Sequence, residues 1–126
     1  MNNTKKVLIT GSAGLIGSQA VRLFIEKGFH VIGIDNNTRG SLFGNDADTN
    51  WNINILKKSF ADSYTHYQND IRDKNAMEEI FKKHHFDIII HAAGQPSHDQ
   101  AAKDPIMDFE INAHATLILL ELFGKY

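Results

Sequence analysis

Three glycines at a three-residue spacing, Gly11, Gly14 and Gly17, stand between an apolar run, Val7-Leu8-Ile9, and the start of an apolar pattern at helical spacing. That order reads as strand, tight turn, helix. The first glycine lets the chain turn where a Cβ would clash, and the second lets the backbone approach a phosphate closely. The third lets the helix pack onto its strand. A helix N-terminus offers free N–H groups and a partial positive charge, which suits a pyrophosphate. A second apolar run, Val31 to Ile34, ends in Asp35. A carboxylate roughly 20 residues past such glycines accepts both ribose hydroxyls of the adenosine half of a dinucleotide. Glycines alone also mark ordinary turns. The strand before them and the acid after them point to dinucleotide binding.

The elements that must hold these residues follow in order. Ile16, Ala20, Leu23 and Phe24 predict a helix over 15–27, closed by Gly28 as a C-terminal glycine. After Asp35 comes a polar stretch, 36–50, long for a connection in a compact α/β unit and read either as functional or as a surface insert. Trp51, Ile55, Leu56 and Phe60 sketch a second helix, capped by Thr49 or Asn50, and Tyr64 to Gln68 alternates as a strand. A third helix with Met77, Ile80 and Phe81 on one face runs to about His84, and Phe86 to His91 is the most apolar strand. Asp104 and Pro105 open a final helix that runs through Ile111 to Phe123. This βαβαβαβα order predicts an α/β fold, a Rossmann-like parallel sheet with helices on both faces. In such sheets ligands bind beyond the carboxyl ends of the strands. Gly11–Gly17, Asp35, Asp70–Ile71 and Ala92–Gly94 all follow strand ends, so they converge on one rim.

The totals exclude several alternatives. A chain of 126 residues fits one domain, and 42% hydrophobic against 22% charged residues marks it as globular. A formal charge of −2 makes no electrostatic case for nucleic acid or an anionic membrane. With no cysteine, disulfide and thiolate chemistry are excluded and a reducing compartment, the cytoplasm, is expected. No apolar run nears the roughly 20 residues that span a bilayer. The seven histidines lack zinc-ligand spacing, so no metal is expected. His91 is read as ending a buried strand, with His98 and His114 near the site but not as ligands.

Five motifs together resemble the extended short-chain dehydrogenase/reductases, the NAD-dependent epimerases and dehydratases of nucleotide sugars. They are Thr10–Gly17, Asp35-Asn36, Asp70–Asp73, His91–Gly94 and Asp108–Asn112, and they span the chain in order. Asn36–Arg39, Thr49–Asn52 and Gly94–Asp99 further resemble the CDP-paratose 2-epimerases, also called CDP-tyvelose epimerases. The resemblance implies NAD as cofactor, with Gly11, Gly14, Leu15, Ile16 and Gly17 on the pyrophosphate. It puts Asp35 on the ribose, with Asn36, Asn37, Arg39 and Gly40 around that edge. Asp70 and Ile71 would meet adenine, Ala92, Ala93, Gly94 and Gln95 would pass under the cofactor, and Asn112 would sit behind it. Ala115 departs from the family's usual glycine before Thr116.

The family's chemistry also uses a Tyr-x-x-x-Lys pair. Here Tyr64 is followed four residues on by Gln68 and Tyr67 by Ile71, while Tyr126 is the last residue. Residues 1–126 are therefore expected to be an NAD-binding Rossmann domain without its later strands, catalytic pair or substrate domain. The parent activity implied is nucleotide-sugar epimerisation by transient hydride transfer, with the substrate bound only in a full-length form. The alternative is a non-catalytic dinucleotide-binding module, or a truncated product without turnover. The strand 86–91 is expected at a free sheet edge and the last helix carries more apolar residues than one buried stripe holds. A homodimer or higher oligomer is the expected state.

Overall fold

A computed structural model describes residues 3–126; Met1 and Asn2 of the expected 1–126 domain lie outside it. Strands β1 (Lys6–Thr10), β2 (His30–Ile34), β3 (Tyr64–Tyr67) and β4 (Ile88–His91) form a parallel sheet in the order β3-β2-β1-β4. Helices α1 (Leu15–Glu26), α3 (Asn50–Ser59), α4 (Lys74–Lys83) and α7 (Ala115–Lys125) cover it. Side chains alternate between sheet faces along each strand, and the core divides accordingly. Val7, Ile9 and Val31 pack with Val21 of α1 and Leu56 of α3. Leu8, Ile32 and Ile34 pack with Met77, Ile80 and Phe81 of α4 and with Ile118, Leu119 and Leu122 of α7.

Because both faces are covered, the two central strands read as continuous apolar runs, not as alternating ones. Val7, Leu8, Ile9, Val31, Ile32 and Ile34 have no exposed surface. Full burial is worth about 1.5–3 kcal/mol for each such side chain, so β1 and β2 form the stable centre. Ile88, Ile89 and Ile90 of β4 are only half-buried, at the edge where the strand order was expected to leave them.

The end of α1 shows how local chemistry stops an element. Gly28 has a φ of 84° and donates to the Ile25 carbonyl at 2.9 Å, while Phe29 N–H reaches the Phe24 carbonyl at 3.0 Å. The rings of Phe24 and Phe29 meet edge-on with centroids 5.1 Å apart. This is the Schellman closure with its usual apolar contact.

Four expectations need correction. The fully buried residues of α1 are Gly17, Ser18 and Val21; of the four expected, Ala20 and Phe24 pack against the core while Ile16 and Leu23 are exposed. On α3 the buried residues are Asn52, Ile53 and Leu56, with Trp51 and Ile55 in solvent. On each helix a polar residue, Ser18 or Asn52, faces inward. The stretch 36–50 is folded: it holds α2 (Thr38–Phe43) and a 3₁₀ turn (Asn45–Ala47). The last helix is not continuous. It consists of α6 (Pro105–Phe109), a π turn (Glu110–His114) and α7, and α5 (His98–Lys103) fills the polar stretch before it. Asp104 does cap α6, accepting from Met107 N–H at 3.0 Å.

Candidate functional site

The carboxyl ends of the four strands open into one cleft of about 350 Å³. Gly11, Gly14, Leu15, Ile16, Gly17, Asp35, Asn36, Arg39, Asp70, Ile71, Ala92, Ala93, Gly94 and Gln95 line it. Asn37 and Gly40, expected at its edge, instead fold into the loop behind Asp35. Asn112, expected behind the cofactor, lies on the π turn and holds Gln95 from behind. His98 and His114 are exposed and outside the cleft wall. Thr38, Thr49, Asn69, Pro96, Ile34 and Ile111 line it as well. Ile34 and Asn69 adjoin residues already singled out; Thr38, Thr49, Pro96 and Ile111 lie within the motifs quoted above, which did not mark them as cleft residues.

The glycines have unequal tasks. Gly11 has a φ of 65°, and a Cβ there would lie 2.7 Å from the Ala93 nitrogen. A Cβ on Gly17 would lie 1.9 Å from the Gly11 carbonyl oxygen, so its packing partner is the turn itself. Gly14 has an ordinary φ of −74° and caps α1 with no side chain. The first N–H groups of α1 therefore face the cleft without a side-chain acceptor, as helix N-termini do unless capped. No acidic residue occupies that first turn. An anion fits there.

Asp35 is fixed across the cleft. Its Oδ2 accepts Ala13 N–H at 3.1 Å and its Oδ1 accepts Asn37 N–H at 2.8 Å. A carboxylate has about four acceptor positions, so Oδ2 keeps one for a further donor, and the second on Oδ1 meets only the Thr49 hydroxyl at 3.4 Å, which has a nearer acceptor in Asn37 Oδ1 at 3.1 Å. A ribose diol supplies a donor for each oxygen. Nearby, the Arg72 guanidinium at 2.7 Å holds the Asp70 carboxyl below the usual carboxylate range. Arg72 also reaches Glu110 of the π turn at 3.4 Å. These groups are partly exposed, so the ion pairs orient the Asp70 loop more than they stabilise it.

The floor under Ala92–Gln95 is braced by hydrogen bonds. Gln95 N–H donates to Asn112 Oδ1 at 2.8 Å, and Asn112 Nδ2 returns to the Gln95 carbonyl at 3.1 Å. Deeper, Ala93 N–H donates to Thr10 Oγ1 at 3.2 Å, which lies 2.6 Å from His91 Nδ1. His91 Nε2 meets Thr116 Oγ1 at 3.1 Å, and that hydroxyl donates to the Asn112 carbonyl at 3.1 Å. Because Thr116 gives its proton to Asn112, it receives from His91 Nε2–H, and in the neutral ring Nδ1 is left to accept from Thr10. His91 thus ends its strand as expected and also ties it to α7. Ala115, fully buried, fits the adjacent helix contact.

Burial lowers the pKa of His91, as it does for His66 and His84. His66 also has its Nε2 buried without a partner among the described residues. In the unfolded chain these groups take up protons near pH 6.5, and the folded chain resists. The unfolded state then binds more protons, so stability is full above that pH and declines as pH falls through it. Urea midpoints at pH 7.5 and pH 5.5 check this; the lower pH is expected to give the lower midpoint. His91→Gln is expected to flatten the dependence in part.

The comparisons with known proteins bear on the same arrangement. The sequence profile of the NAD dependent epimerase/dehydratase family matches residues 7–126. The chain belongs to that family. Curated relatives include UDP-glucose 4-epimerase 2 of Arabidopsis thaliana, 32% identical over 122 residues that cover 97% of this chain and 33% of the relative. The UDP-glucose 4-epimerase of Mus musculus is 32% identical, over 97% of this chain and 35% of the relative. The chain thus spans about a third of the length of the curated relatives it matches. Among solved structures, the UDP-glucose 4-epimerase of Thermotoga maritima with UDP-glucose superposes with a TM-score of 0.78 at 33% identity. It covers 96% of this chain and 34% of that one. The Bifidobacterium longum UDP-glucose 4-epimerase in complex with NAD+ and UDP gives a TM-score of 0.78 at 29% identity, covering 96% of this chain and 34% of that one. The Rossmann-like fold expected from the strand and helix order is the fold these family members share.

Proposed function

We propose that residues 1–126 are the NAD-binding portion of a nucleotide-sugar epimerase or dehydratase. One observation carries the reading: an uncapped helix N-terminus and a fixed carboxylate with acceptor capacity left for a ligand face the same cleft. The family description names NAD, and a similar structure holds NAD+ and UDP. Gly14, Leu15, Ile16 and Gly17 would meet the pyrophosphate, and Asp35 the adenosine ribose. Asp70 and Ile71 would meet adenine, with Ala92–Gln95 beneath the nicotinamide half. When bound, the dinucleotide supplies reversible hydride transfer at a sugar carbon.

This chain's own contribution is to bind and orient. Burial, opposed in part by the hydrogen bond to Ser12, leaves the Tyr64 phenol pushed up to about 12, so it stays protonated at neutral pH. The substrate proposed for the whole protein is a nucleotide sugar. The resemblance of three segments to CDP-paratose 2-epimerases favours a CDP-sugar, and the relatives named above are UDP-glucose 4-epimerases. Among the described residues no helix is long and apolar enough to cross a membrane; with no cysteine in the chain, the cytoplasm is the compartment we favour. A homodimer or higher oligomer is the proposed state.

Calorimetric titration tests the cofactor. A 2′-phosphate has no proton for Asp35 and brings like charge within a few ångströms, which costs about 3–4 kcal/mol at an effective dielectric near 20. Arg39, on the cleft edge, offsets part of that. NAD+ is expected to bind about a hundredfold more tightly than NADP+. Equal affinities would contradict the assignment.

A further inference from the structure

Two motifs singled out in the sequence, Asn36–Arg39 and Thr49–Asn52, come together behind Asp35. Asn37 stands in the left-handed region with a φ of 57°. Its Oδ1 accepts Thr49 N–H at 2.9 Å, the Thr49 hydroxyl at 3.1 Å and Gly40 N–H at 3.3 Å. Its Nδ2 donates to Asp48 at 3.0 Å. A Cβ on Gly40 would lie 2.8 Å from that carboxamide, so Gly40 makes room for it.

The connections close into a ring. Thr49 Oγ1 also lies 3.4 Å from Asp35 Oδ1, and Thr49 is the N-cap of α3. In the first turn of α3, buried Asn52 donates to the Ala13 carbonyl at 2.9 Å. Ala13 N–H in turn holds Asp35 Oδ2. Asp35, Ala13, Asn52, Thr49 and Asn37 are thus linked without a gap. Thr49 and Asn52 are both buried, at 7% exposure.

We propose that Thr49, acting through Asn37, is a specificity-determining positioning residue of the dinucleotide site. It fixes the open positions of Asp35 toward a ribose diol and closes the loop against a 2′-phosphate. This rests on the function proposed above. The hydroxyl has one proton to give, and Asn37 Oδ1 is its nearer acceptor. That choice leaves Asp35 Oδ1 free for a ribose hydroxyl while the loop stays shut. Without the hydroxyl, Asn37 loses one of its three donors and the carboxylate can turn to solvent. Arg39, exposed on the same loop, is then free to meet a 2′-phosphate.

The readout is the ratio of the Kd for NADP+ to the Kd for NAD+, measured by calorimetry on the full 126-residue chain. Thr49→Val keeps the shape and removes the proton, and is expected to lower the ratio about tenfold, the value of one hydrogen bond near a charge. Thr49→Ser retains the hydroxyl and is expected to keep the wild-type ratio. Asn37→Gly suits the left-handed backbone, removes the carboxamide, and is expected to match Thr49→Val; it carries the test should Thr49→Val fail to fold. Equal weakening toward both nucleotides, an unchanged ratio, or a Thr49→Ser ratio as low as that of Thr49→Val would overturn the proposal while leaving the cofactor assignment intact. A wild-type chain that binds neither nucleotide would overturn both.

Discussion

Gly17→Ala is expected to abolish dinucleotide binding by unfolding the turn that forms the site. The new Cβ would stand 1.9 Å from the Gly11 carbonyl oxygen and 3.0 Å from the Ser12 Cα, both rigid backbone. Ser18, next on α1, is buried, and Ser18 N–H bonds the Gly14 carbonyl at 3.0 Å, so the helix has no freedom to retreat. Relief must come from moving β1 or α1, which form the centre of the core. Overpacking of that kind costs upwards of about 3 kcal/mol, against a domain stability of about 5–15 kcal/mol. Thermal denaturation should show a transition about 10 °C lower or none.

Gly14→Ala is the informative contrast. Its φ is ordinary and the nearest atom to a new Cβ is 3.3 Å away. The variant is expected to fold within about 1 kcal/mol of wild type and still lose NAD+ affinity, because its methyl group enters the cleft where a phosphate must approach. A Gly14→Ala chain that binds as tightly as wild type would remove Gly14 from the site. Gly17→Ala with an unshifted melting curve would show that the turn tolerates what its geometry forbids.

The difference between these glycines also marks what a sequence can disclose. Spacing showed that Gly11, Gly14 and Gly17 belong to one turn, because backbone conformation is a local property. The strand-end rule brought Asp35, Asp70 and Ala92–Gly94 to the same rim, because parallel sheets with right-handed crossovers leave no other place for them. What did not show locally were side chains whose partners lie far along the chain. Asn37 and Thr49 are twelve residues apart and meet through a carboxamide. Asn52 of α3 reaches a carbonyl 39 residues away. Helix periodicity counts apolar residues, so a helix whose buried stripe includes an asparagine or serine is assigned a face that is only partly right: Ala20, Phe24, Leu56 and Phe60 do pack into the core, while Ile16, Leu23, Trp51 and Ile55 do not. The π turn at Glu110–His114 escaped for a related reason: its residues have ordinary helical preferences, and only the widened turn carrying Asn112 sets it apart.

Self-association is the second large effect, and its basis is the face of the last helices turned away from the sheet. Ile118, Leu119 and Leu122 are buried, while Leu117, Leu120 and Phe123 remain 54%, 65% and 42% exposed. Ile106 and Phe109 of α6 add 71% and 61%. Covering such half-exposed side chains contributes about 1–1.5 kcal/mol each. In a two-fold contact each copy brings the same five residues, so the gross gain reaches about 10–15 kcal/mol. Association costs several kcal/mol or more in lost freedom, which leaves a dissociation constant in the micromolar region. The β4 edge offers a second route, since Ile88–His91 carries no proline or lysine to block strand pairing. Light scattering at tens of micromolar is therefore expected to give a dimer or larger species. Leu120→Glu places a charge within the helical face and is expected to yield monomer, with a melting transition lowered only by what association contributed. If the variant stays associated, the β4 edge is the contact, and Ile89→Lys should dissociate it. A wild-type chain that is monomeric and unfolds cooperatively would show that neither surface needs a partner.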